Sequence, residues 1–253
     1  MKTTHATGLL IMAAWLALSA GAAHAVTGDE LVQRAHDYLR GRTSVSVVEM
    51  TIHRPNWERT MTIKAWTKGV EDSIFKIIAP AKDKDNGTLK LGQEMWTYNP
   101  KINRVIKIPP SMMSQSWMGS DFSNNDLAKS DTILTDYTHE IIGEEQHQGK
   151  TVYVIESIPK PRAPVVWGKQ VLKVREDDIY ISQEFFDEDM ESVKMLEMLE
   201  IEEMAGKLYP TVWKMRKTDQ TEEYTLLDYE DLEFDVDLDD DMFTVSALKR
   251  PLR

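Results

Sequence analysis

The chain has 253 residues, of which 42% are hydrophobic and 28% charged, and it contains no cysteine. That balance fits a globular protein of one large or two small domains, and the missing cysteines exclude a disulfide framework, a thiol nucleophile and a Cys-ligated metal. A formal net charge of −12 argues against nucleic acid and against anionic lipid headgroups as partners.

The first residues read as a secretory signal. Lys2 is the only formal charge before an apolar run from Leu9 to Ala23, and the run closes on Ala23-His24-Ala25, the small-x-small pattern that a signal peptidase cuts. Cleavage is expected after Ala25. The run is short for a membrane-spanning helix, and no second apolar run of spanning length follows. With no cysteine at the cleavage site, the mature chain has no N-terminal lipid by that route. Residues 26–253 are therefore expected as one domain, a monomer, free in the periplasm.

Residues 29–40 predict a helix, with Thr27 or Asp29 as its cap, Leu31, Ala35 and Leu39 on one stripe, and Gly41 as its stop. Strand signals follow. Residues 44–53 alternate with Val48, Met50 and Ile52 on one face, and 59–68 alternate with Met61, Ile63 and Ala65 on one face. Residues 71–79, with Ile74, Phe75, Ile77 and Ile78, read as a strand buried on both faces. Short strands at 88–91, 94–98 and 105–108 are separated by the turn signals Asn86-Gly87 and Asn99-Pro100.

The alternation breaks at Pro109-Pro110. Residues 111–130 read as short helical turns joined by loop, carrying Met112, Met113, Trp117, Met118 and Phe122 among small polar residues. Extended segments resume at 138–142, 151–158, 170–175, 179–186, 193–202, 207–217 and 222–233, with a short helix expected near 239–248. The expected fold is mainly β (α+β): a curved antiparallel sheet or unclosed barrel of about ten strands with an N-terminal helix. A helical lid inserted at about 109–130 lies across the sheet and encloses an apolar cavity.

No nucleophile elbow, phosphate loop, dinucleotide fingerprint or His-Glu-x-x-His motif is present. His139 and His147 read as flanking a hairpin turn, which would let them approach, although two solvated histidines are the simpler reading. The acidic run from Asp235 to Asp241 lacks the glycine and closing glutamate of a calcium loop and reads as a solvated edge before a helix N-terminus. No metal or other cofactor is expected. The methionines of residues 111–127 are adaptable side chains suited to a mobile lid over a ligand of variable shape; on composition alone, a plug that completes a core is the simpler reading.

The run Met113-Ser114-Gln115-Ser116-Trp117-Met118-Gly119-Ser120-Asp121-Phe122-Ser123-Asn124-Asn125-Asp126-Leu127 resembles the hallmark of outer-membrane lipoprotein-sorting proteins, relatives of the periplasmic carrier LolA. Val48-Glu49-Met50-Thr51, the segment from Gln93 to Pro100, and Leu208-Tyr209-Pro210-Thr211 are similar to the same group. The resemblance implies a LolA- or LolB-like unclosed barrel whose cavity takes acyl chains. It also implies association with an inner-membrane transporter of the resistance-nodulation-division class and an outer-membrane acceptor. The resulting expectation is a non-enzymatic carrier of a lipid or acylated ligand. Met50, Ile52, Met61, Ile63, Phe75, Ile77 and Trp96 from strands, and Met112, Met113, Trp117, Met118 and Phe122 from the lid, would line its cavity. The alternatives are a protein-binding accessory of such a transporter, with its cavity filled by side chains, and a lipid-directed hydrolase built on two carboxylates, for which no pair stands out.

Overall fold

A computed structural model describes residues 26–251; the signal segment expected over residues 1–25 lies outside the described residues. Helix α1 (Gly28–Arg40) begins in a capping box. Thr27 Oγ1 accepts from the Glu30 amide at 3.2 Å, and the Glu30 carboxylate accepts from the Thr27 amide at 3.0 Å. Gly41, at φ 64°, ends the helix in the left-handed region that suits glycine. Leu31, Val32 and Ala35 face the core.

Thirteen strands follow: β1 (Thr43–Arg54), β2 (Trp57–Lys68), β3 (Asp72–Ala79), β4 (Gly87–Leu91), β5 (Glu94–Asn99), β6 (Arg104–Lys107), β7 (Tyr137–His147), β8 (Lys150–Pro159), β9 (Lys169–Arg175), β10 (Tyr180–Phe186), β11 (Ser192–Met204), β12 (Lys207–Lys217) and β13 (Tyr224–Phe234). The expectation of about ten strands is too low: each of the thirteen extended segments read from the sequence, the short ones at 88–91, 94–98 and 105–108 included, pairs as a strand in its own right. All pair antiparallel in one sheet, ordered β6-β5-β4-β3-β2-β1-β13-β12-β11-β10-β9-β8-β7. Two meanders, β1–β6 and β7–β13, are joined by the β1–β13 ladder. Strands β6 and β7 are the two edges, and they are not paired with each other, so the barrel is unclosed.

One contiguous cluster takes side chains from β1, β2, β3, β5 and β7 through β12. The sheet must curve to bring them together, and this inner face is the main core. Helix α1 packs against β7 and β9 within that curve. Gly28 permits the contact: a Cβ there would meet the His139 carbonyl oxygen at 2.7 Å. On the outer face of the β2–β6 half, Ile74, Leu89 and Tyr98 are covered by Phe243 and Leu248 from the C-terminal segment, where α4 (Val245–Leu248) is capped by Thr244. Strand β3 is thus buried on both sides.

The chain between the two edge strands, residues 108–136, forms a strap. It contains a 3-10 turn (Pro110–Met112), helix α2 (Asn124–Ala128) and helix α3 (Thr132–Thr135), linked by loop.

Candidate functional site

Side-chain size along β1 and β2 decides where the inner face is solid and where it is hollow. The register pairs Ser44 with Thr67, Ser46 with Ala65, Val48 with Ile63 and Met50 with Met61. Large residues fill one end, where Met50, Ile52 and Met61 are at most 1% exposed. Over the small end lies a cavity of about 310 Å³, within the size range of ligand sites. Its lining takes Ser44, Ser46, Ala65 and Thr67 from β1 and β2, Leu227 from the neighbouring β13, Phe185, Leu196 and Met198 from β10 and β11, Trp167 from the segment before β9, and Trp117 and Phe122 from the strap.

Ion pairs and hydrogen bonds hold the strap in place. Trp117 is buried, donates its indole N–H to Thr88 Oγ1 at 3.0 Å and meets the Phe75 ring edge-on at 5.3 Å. Asp121 pairs with Arg54 on β1. Asp126 accepts from Lys194 on β11 at 2.6 Å and also completes a capping box with Ser123 that starts α2. The Asn124 side chain donates to the Met112 and Gln115 carbonyls at 3.0 and 3.2 Å, folding the strap on itself.

The cavity also has a polar end. Lys90, on β4, is nearly sealed from solvent and donates to Asp131 Oδ2 at 2.7 Å and to the Val70 carbonyl at 2.6 Å. Asp131 Oδ1 lies 3.1 Å from His36 Nε2 and 4.0 Å from the Arg40 guanidinium. Burial pushes the Asp131 carboxyl up, but His36, Arg40 and Lys90 together outweigh it and bring its pKa down to about 2. Burial also lowers the Lys90 ammonium, which Asp131 opposes. Arg40 further donates to the Ser73 hydroxyl at 3.1 Å. His36, Arg40, Ser73 and Lys90 all line the cavity. Sequence reading missed this group because its members lie on α1, β3, β4 and the strap. Alternation in Thr88-Leu89-Lys90-Leu91 puts Lys90 on the face opposite the two leucines, which reads as solvent-facing, so no local signal marks it as inward.

The residues expected to line a cavity fall into four places. Ile63, Phe75, Trp117 and Phe122 line the 310 Å³ cavity. Ile77, Met112 and Met118 line a second hollow of about 480 Å³ beyond Trp117, whose walls also carry Arg59, Asp83, Asn86 and Gln115. Met50, Ile52 and Met61 are close-packed core, and Met113 packs against that core. Trp96 faces the opposite way, against the outer cluster with Leu89 and Tyr98, while its neighbour Met95 points inward. On a six-residue strand covered on both faces, two-residue alternation does not fix which face is inward, so Trp96, expected in the cavity, lies outside it.

His139 and His147 do not approach. Both lie on β7, eight residues or roughly 26 Å of extended chain apart. His139 is not a solvated residue: it contacts Ser157 Oγ at 2.7 Å and the Ile133 carbonyl at 2.9 Å, and burial lowers its pKa. In the acidic run, Asp235 pairs with Arg42, Asp240 with Lys68, and Asp239 caps the 3-10 turn (Asp240–Met242). Among the described residues, no group of three or more His, Asp or Glu side chains is placed to hold a metal ion.

Solved structures share this architecture. An outer membrane lipoprotein-sorting protein domain from Vibrio parahaemolyticus matches with a TM-score of 0.76 at 22% identity, covering 88% of this chain and 98% of its own. A DUF1329 family protein from Desulfovibrio piger matches at 0.78 and 26%, covering 87% and 97%. A LolA superfamily protein from Nitrosomonas europaea matches at 0.73 and 24%, covering 88% and 100%. No curated protein matches the chain. A family model whose description reads "-like: Uncharacterized protein" matches residues 69–250. That match spans most of the chain, which therefore belongs to this family and shares its fold with the solved lipoprotein-sorting and LolA-superfamily structures.

Proposed function

We propose that the protein is a periplasmic, non-enzymatic carrier that takes a lipid or acylated ligand into the cavity under the strap and yields it to an acceptor of higher affinity. The observation that carries this reading is the cavity wall of Trp117, Phe122, Trp167, Phe185, Leu196 and Met198 on the inner face of an unclosed sheet. Each methylene withdrawn from water contributes about 0.8 kcal/mol, so such a wall suffices to hold an acyl chain that would not cross an aqueous compartment alone. The likeness to lipoprotein-sorting and LolA-superfamily structures supports it, as does the secretory pattern ending at Ala25. Release needs no bond to be made or broken. A transporter on the donor side and an outer-membrane acceptor would complete the route.

The test is mass spectrometry of an organic extract of the mature protein, purified from its own periplasm without detergent. A stoichiometric lipid or acylated species is the expected result. A protein that is empty and also takes up no fluorescent fatty acid overturns the reading and leaves a protein-binding module.

A further inference from the structure

The cavity is polar at one end and apolar at the other, and its polar end is cationic. The chain as a whole is strongly acidic, yet the cavity lining carries Arg40, Lys90 and Lys129 against the one carboxylate of Asp126, which Lys194 already pairs; Arg40, Lys90 and the His36 ring meet at Asp131, outside that lining. Asp72 acts on Lys90 only from beyond hydrogen-bond range. Net charge describes the average surface and says nothing about one enclosed site. A low-dielectric wall strengthens the local field rather than the average one.

An entirely apolar ligand would seal these cations away from water with too few anionic partners, which is costly. A ligand that brings its own negative charge removes that cost. The inner-face hydroxyls at the same end, Ser46 and Ser73 among them, supply further hydrogen-bonding groups.

Resting on the carrier reading above, we propose that the ligand is a single-headed amphiphile with an acidic headgroup, a carboxylate or a phosphate. Its head is held by Arg40, Lys90 and His36, and its chain lies against Phe185 and Leu196. This replaces the expectation, drawn from net charge, that anionic lipid headgroups are excluded.

The test is calorimetric titration of the intact, delipidated protein at pH 8 with laurate and with dodecanol, which share a chain and differ in headgroup charge. Laurate is expected to bind at least tenfold tighter. Equal affinities overturn the headgroup assignment and leave the carrier reading standing; binding of neither ligand overturns both. Lauroyl lysophosphatidate against lauroyl lysophosphatidylcholine separates the two sources of charge: a further tenfold preference for the former over laurate assigns a phosphate, and the reverse order a carboxylate. In Lys90→Met the laurate preference should fall at least threefold, and Lys90→Arg should restore it. The comparison on unmodified protein decides the matter whether or not Lys90→Met folds.

Discussion

Arg54 on β1 grips Asp121 of the strap through two parallel hydrogen bonds, Nη1 to Oδ2 and Nη2 to Oδ1, each 3.0 Å long. Asp121 also accepts from Thr225 Oγ1 at 2.7 Å, and its own amide donates to that hydroxyl at 3.0 Å. The pair joins the middle of the strap to the β1–β13 seam where the two meanders meet. Removing one partner of a buried pair typically costs about 3–5 kcal/mol. Here Arg54 keeps Glu223 at 3.3 Å, so Asp121→Ala should cost less, roughly 2–3 kcal/mol. Urea unfolding measures the loss, and limited proteolysis should show earlier cleavage within residues 111–130. An unchanged midpoint would mean that the strap is held without this pair.

The indole of Trp117 depends on a single hydroxyl. Thr88→Val keeps the shape of the side chain but removes the acceptor, leaving a buried N–H unsatisfied at a cost of about 1–3 kcal/mol. The Trp117 emission should also shift as the ring loses its anchor. The same substitution made beside a Trp117→Phe background should cost far less, since no N–H remains to be stranded. Equal costs in the two backgrounds would place the energy of Thr88 elsewhere.

If small side chains create the cavity, larger ones should abolish it. Ser46 and Ala65 face each other across the β1–β2 ladder at its hollow end. Ser46→Leu projects a branched apolar side chain into empty space, so the strain should stay at or below about 1–3 kcal/mol, the usual range for an overpacked core. Co-purified lipid and fluorescent fatty-acid uptake should both disappear while the thermal transition remains cooperative. Uptake at the unmodified level would show that ligand binds somewhere other than this cavity.

The architecture was far more legible in the sequence than the site. Helix α1 followed from Thr27, the apolar stripe and Gly41, and β1 and β2 followed from two-residue alternation, because these signals act over a few residues; β7 runs on to His147, past the 138–142 expected for it. Short strands such as β5 gave too few positions to fix which face was which, and Trp96 was misplaced for that reason. Alternation also identifies the inner face without saying where along it the space lies. Met50 and Ser46 are equally inward, but only the size of the partner across the ladder, Met61 in one case and Ala65 in the other, makes one end solid and the other hollow. The charged end of the cavity depends on contacts between residues as distant as His36 and Asp131, a pairing that no local pattern encodes.

Asp131 makes the fold sensitive to acid in a specific window. Its carboxyl has a pKa of about 2 in the folded protein, against about 3.9 when unfolded. A carboxyl with a depressed folded pKa is more easily protonated in the unfolded chain. Its contribution is therefore complete above pH 4 and is lost as pH falls toward 2, and for a shift of this size it amounts to about 2–3 kcal/mol. Other carboxylates add their own acid dependence, so the informative quantity is the difference between the unmodified protein and Asp131→Asn. That difference should be largest at pH 5–7 and should shrink steadily below pH 4, as the unmodified protein acquires the same neutral side chain. Urea unfolding at half-unit steps from pH 7 to pH 2.5 follows it directly. A difference that stays constant with pH would mean that the substitution acts through packing and that Asp131 is not the charged hub joining α1, β4 and the strap.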